Sequence, residues 1–149
     1  MTDLAFGSYR MRVDAARTRA CYDAHPWEMC DCAGCRNFVR AAVTLPQAAA
    51  DAFRALGLDP AKPAEACHYY APAPDRVFSS AWYHVHGELA GGDGQPCALA
   101  DGVSVSFTAD CALLPDDFPR PCFQAEFWFD RLPWLLDEPN PYESGDCHE

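Results

Sequence analysis

The chain has no isoleucine and a single lysine, Lys62, beside ten arginines. That skew reads as base-composition bias, so Lys62 is not read as a selected functional residue. No apolar run approaches the ~20 residues needed to cross a bilayer, so no membrane span is expected. A Gly-rich phosphate loop, a His-Glu-x-x-His pair and a Gly-x-Ser-x-Gly elbow are all missing. Gly91-Gly92-Asp93-Gly94 lacks the Lys-Ser/Thr ending of a phosphate loop and reads as a turn. The chain has no basic excess either. Its formal net charge is −11, and such a surface repels phosphate backbones. Nucleic acid is therefore not expected as a partner.

What is present suits one folded domain. In 149 residues, half are hydrophobic and 13% are aromatic, enough to exclude a disordered chain and to build a core. Nine cysteines fall below the density of a disulfide miniprotein. The N-terminus, Met1-Thr2-Asp3-Leu4-Ala5, shows no basic region followed by an apolar stretch. The thiols are therefore expected in a reducing cytoplasm. The charge is uneven: residues 1–40 carry a net +1 and residues 41–149 a net −12. Arg10, Arg12, Arg17 and Arg19 read as a solvated face rather than an anion site.

Periodicity predicts the elements. Tyr9, Met11 and Val13 alternate with polar neighbours as a half-buried strand does. Residues 15–34 read as irregular. Phe38, Val39, Ala42 and Val43 recur at helical spacing after Gly34. Thr44 and Gln47 offer a capping box around Pro46 for a second helix, which Gly57 would stop in a left-handed conformation. Val77–Leu89 reads as a long strand, with Ala81, Tyr83 and Val85 on one side and Trp82, His84 and His86 on the other. Val103–Phe107 and Phe123–Phe129 alternate as further strands. The expectation is an α+β domain over residues 1–136, an antiparallel sheet of about four to five strands packed on an α-helical hairpin. Asp137–Glu149 reads as an acidic, Pro-containing tail.

The chemistry concentrates in Trp27-Glu28-Met29-Cys30-Asp31-Cys32-Ala33-Gly34-Cys35-Arg36-Asn37-Phe38. Cys30, Cys32 and Cys35 offer three sulfurs within six residues, next to a glycine that permits a sharp turn. A closed Zn²⁺ site takes four Cys or His ligands. The fourth is left open among Cys21, His25, His84 and His86. A thiol oxidoreductase competes, because Cys32 and Cys35 form a Cys-x-x-Cys pair ahead of a helix whose N-terminus favours a thiolate. A third reading is a metal-free interaction module with packed thiols. Cys67, Cys97, Cys111 and Cys122 are assigned to packing, and Cys147-His148 to the tail. His84, His86 and Glu88 share a strand face and form a weaker two-His-one-carboxylate pattern.

The segment Trp27–Phe38 resembles a family of small uncharacterised bacterial proteins, a domain of unknown function. That family carries a similar Trp-Glu-x-Cys-Asp-Cys-x-x-Cys-Arg/Lys-Asn-Phe run. The resemblance continues through Leu56–Glu65 and Trp82–Glu88 and spans about residues 4–135. It implies that Cys30, Cys32, Cys35 and Asn37 belong to one motif, and it implies no activity. The functional expectation is a structural-zinc-binding accessory or interaction domain, with any protein partner unspecified.

Overall fold

The computed structural model describes residues 1–144. Its elements run β1 (Thr2–Phe6), β2 (Tyr9–Val13), α1 (Ala15–Ala24), α2 (Ala33–Ala41), α3 (Gln47–Leu56), β3 (Glu65–Tyr70), β4 (Arg76–Gly91), β5 (Cys97–Ala100), β6 (Val103–Thr108) and β7 (Cys122–Pro133). The strands form one seven-stranded sheet in the order β1-β2-β4-β7-β6-β5, with β3 also paired to β4. Every pairing is antiparallel. This corrects the sequence expectation: the sheet is larger than four or five strands, and it does not rest on a helical hairpin.

The long strand β4 organises the sheet. One edge pairs with β7 from Arg76 to His86. The other edge is shared: β3 takes Phe78–Trp82, and β2 takes Gly87–Gly91. Between them two backbone N–H groups of β4 need other partners, because an unpaired buried amide costs about as much as a lost hydrogen bond. Helix α1 supplies them. The Tyr22 hydroxyl accepts from His84 N at 3.0 Å, and Thr18 Oγ1 accepts from His86 N at 3.0 Å. Thr18 and Tyr22 are four residues apart and so lie on one helix face.

This arrangement explains why residues 15–24 read as irregular in the sequence. The face of α1 turned to the sheet carries hydroxyls, and its only fully buried residue is Thr18. No apolar stripe marks it. The other unpredicted elements are equally unmarked. β1 is an edge strand with mostly exposed residues, β5 has four residues, and β3 puts a histidine at a core position.

Helices α2 and α3 cover one face of the sheet. Phe38 meets Phe129 edge-on at 5.7 Å, and Phe53 stacks on Phe127 at 4.0 Å. A 3-10 turn over Ala42–Thr44 separates the two helices, and α3 turns toward α1 and β5. The expected capping box does not form. Thr44 Oγ1 donates to the Ala41 carbonyl inside that turn, and Gln47 Nε2 donates to Asp51. Pro46 becomes the N-cap, without a side-chain bond. Gly57 does end α3 in the left-handed region, at φ 78°, and the Leu58 amide returns to the Phe53 carbonyl. A Cβ at Gly57 would also run into the Ala15 carbonyl.

The alternation of β4 assigns its two faces. Ser79, Ala81, Tyr83 and Val85 pair with Phe129, Phe127, Ala125 and Phe123 on the helix side. Ser80, Trp82, His84 and His86 pair with Trp128, Glu126, Gln124 and Cys122 on the opposite side. Residues 109–121, between β6 and β7, reach that second face. Part of the expected tail belongs to the folded core. Tyr142 is 2% exposed, its carbonyl accepts from Ala71, and Asn140 donates to the carbonyls of Pro74 and Arg76. Cys147 and His148 lie outside the described residues.

Candidate metal centre

Helix α2 begins at the cysteine run, and the run builds the helix start. Cys32 is the N-cap, in extended conformation (φ −72°, ψ 161°), and its sulfur accepts from Cys35 N at 3.4 Å. A thiol thus occupies the place where Ser, Thr, Asp or Asn ordinarily caps. Cys30 Sγ accepts in turn from Cys32 N at 3.4 Å. These two bonds fold the chain so that the sulfurs of Cys30, Cys32 and Cys35 all lie within 4.8 Å of one another. The three run from exposed through half-buried to buried. In a tetrahedral site with Zn–S near 2.3 Å, sulfurs sit about 3.8 Å apart. The group is already close to that size, and it could hold a metal ion.

The rest of the motif holds this segment in place. Trp27 Nε1 donates to the Pro63 carbonyl at 3.1 Å. Arg36 donates to the Asp31 carbonyl and pairs with Glu138 at 2.9 Å. Asn37 is fully buried; it donates to the Pro133 carbonyl at 3.0 Å and accepts from Leu135 N at 2.6 Å. Gly34 has no room for a side chain, because a Cβ there would strike the Tyr142 hydroxyl and the His68 ring.

The thiols differ electrostatically. Burial alone would raise the Cys32 thiol, but the amide of Cys35 and the neighbouring thiols of Cys30 and Cys35 outweigh it, and Cys32 sits below its ordinary value. Burial pushes Cys35 well above its ordinary value, and its contact with Cys32 adds to this. On the far face Cys111 goes the same way as Cys35. Burial, followed by its neighbour Cys122, pushes it up to about 11.

The fourth-ligand candidates named from the sequence stand apart from the three sulfurs. His84 and His86 occupy the β4 face away from the helices. His84 Nε2 donates to the Ala112 carbonyl at 2.8 Å. His86 Nδ1 donates to the carbonyls of Pro121 at 2.8 Å and Pro119 at 3.2 Å. Both anchor residues 109–121. Cys21 and His25 sit at the end of α1 in a cavity of about 220 Å³ with Leu113, Pro115 and Phe118, and His25 pairs with Asp117 at 3.0 Å. Cys67, Cys97, Cys111 and Cys122 are half-buried; Cys67, Cys97 and Cys122 lie on strands, and Cys111 lies between β6 and β7 beside Cys122.

One residue near the sulfurs was not singled out in the sequence. His68, on β3, is fully buried, and its Nε2 lies 3.5 Å from Cys35 Sγ. Its other nitrogen is 2.8 Å from Ser79 Oγ. Burial pushes this imidazole down to about 4, so it is neutral at pH 7. Its sequence context, Cys67-His68-Tyr69-Tyr70, lies 33 residues from Cys35 and carries no ligand spacing. A histidine on an otherwise apolar strand face was the available signal.

No family model, no curated protein and no solved structure matches the chain. Among the described residues no helix is long and apolar enough to cross a membrane.

Proposed function

We propose that Cys30, Cys32 and Cys35 bind a single Zn²⁺ whose role is structural, and that the domain acts as an accessory or interaction module. The observation that carries this reading is the convergence of the three sulfurs at the start of α2. The Cys35 amide bonded to the Cys32 sulfur favours the thiolate form of Cys32, and metal ligation requires thiolates. Sulfur donors select soft or borderline ions, with zinc the common tetrahedral one. The ion would fasten the Trp27–Asp31 segment to α2, which otherwise rests on a few side-chain bonds. Elemental analysis of protein purified without chelator is the test. About one zinc per chain is expected; a content near zero overturns the reading.

A thiol oxidoreductase is the second reading, and the unequal thiols favour it. A half-exposed Cys32 held below its ordinary value beside a buried Cys35 held above it suits a nucleophile and a resolving partner. Alkylation of metal-free protein separates the readings. Redox use requires Cys32 to react much faster than the other thiols at pH 7, whereas uniform slow labelling removes it.

A further inference from the structure

We propose that His68 is the fourth ligand of this centre, binding through Nε2, and that Ser79 is the residue that positions it. The proposal rests on the three-thiol reading above. In a tetrahedral site with Zn–S near 2.3 Å and Zn–N near 2.0 Å, ligand sulfur and nitrogen lie about 3.5 Å apart. The Cys35 Sγ to His68 Nε2 distance is 3.5 Å. The atoms therefore already span one edge of such a tetrahedron.

The strand register supplies the rest. His68 pairs directly with Ser79 across β3 and β4, and Ser79 Oγ lies 2.8 Å from His68 Nδ1. With Nδ1–H donating to that hydroxyl, the lone pair sits on Nε2 and faces the thiol. Metal-bound histidines nearly always have their second nitrogen held in this way. Gly34 lets the ring approach the helix start, since any side chain there would strike it.

The opposite faces of β4 make the same assignment by geometry. Ser79 belongs to the helix-side face, and Cys35 is in helix α2 on that side. His84 and His86 belong to the other face and are bonded to residues 109–121. The sheet itself separates them from the sulfurs.

Co²⁺ titration of wild-type, His68→Cys and Ser79→Ala protein tests the proposal. Replacing the imidazole by a fourth thiolate moves the ligand-field bands to longer wavelength and strengthens the sulfur-to-metal charge transfer. Ser79→Ala should keep the wild-type spectrum and weaken binding by about 10- to 100-fold. If wild-type protein shows no thiolate–Co²⁺ bands at all, the three-thiol reading falls and this one with it. If wild-type binds and His68→Cys gives an unchanged spectrum, the His68 assignment alone falls. Should His68→Cys not fold, long-range ¹H–¹⁵N spectra of wild-type protein decide. Zinc should shift one imidazole Nε2, that of the histidine protonated at Nδ1 and bonded to Ser79. No imidazole nitrogen responding to zinc overturns the assignment.

Discussion

His68 and His84 are both buried, both on strands of one sheet, and both held neutral by burial, yet they face opposite sides and different chemistry. His84 Nε2 reaches a backbone carbonyl at 2.8 Å, and Phe118 packs edge-on against its ring at 5.8 Å. His68 Nε2 reaches the Cys35 sulfur at 3.5 Å, and Cys35 in turn lies within 4.8 Å of the Cys30 and Cys32 sulfurs. The Ala112 carbonyl accepts the imidazole N–H and is not a usual zinc ligand, so His84 is a bolt for residues 109–121. A thiol can give up its proton, so the His68 side can exchange hydrogen bonds for metal bonds. What lies opposite the imidazole, rather than burial or histidine spacing, separates an anchor from a ligand.

Substitutions on the two faces should therefore fail differently. The largest effect belongs to Cys35→Ser. A metal present at about 1,000 times its Kd stabilises by about 4 kcal/mol, and in a domain of this size each kcal/mol moves Tm by about 2–4 °C. Melting of zinc-loaded protein should fall by about 8–16 °C, and a chelator should produce no further drop. His84→Ala removes the side-chain bonds to Ala112 and Gln124 and the packing on Phe118, and should cost about 2–3 kcal/mol. Urea unfolding measures that loss, while metal content should stay at the wild-type value. An equal loss of zinc in His84→Ala would erase the distinction between the faces.

Acid sharpens the comparison on the anchor side. The His84 imidazole lies below its ordinary value, chiefly through burial, although its bonds to Ala112 and Gln124 act the other way. Below about pH 6.5 the unfolded chain therefore takes a proton here that the folded chain resists. Stability from this residue is complete above that pH and is lost as the pH falls. The Tm of wild-type protein should drop more steeply between pH 7 and 5 than that of His84→Gln.

Smaller effects follow. Thr18→Val leaves the His86 amide without its hydroxyl partner and should cost about 1–2 kcal/mol, read from urea unfolding. Arg36→Ala removes an exposed pair with Glu138 and should cost less than about 1 kcal/mol, with zinc content unchanged.

Where burial wrote an apolar period into the chain, the fold was legible. Val103–Phe107, Phe123–Phe129, both faces of β4 and the Gly57 stop all lie where alternation or glycine put them. Helix α1 was hidden because its inward residues, Thr18 and Tyr22, satisfy strand amides with hydroxyls, which leaves no stripe. The helical hairpin was expected because Thr44–Gln47 looked like a tight connection. In the fold, Thr44 closes a 3-10 turn and α3 departs toward α1. Cys30, Cys32 and Cys35 were legible because their spacing is local. His68 was not, because its place beside Cys35 is created by the pairing of β3 with β4, a long-range event that no local spacing encodes.

X-ray absorption at the zinc edge of the purified holo-protein tests the central claim most directly. The account predicts a shell of three sulfurs near about 2.3 Å and one nitrogen near about 2.0 Å. Protein without zinc, or zinc surrounded only by oxygen and nitrogen, would contradict it.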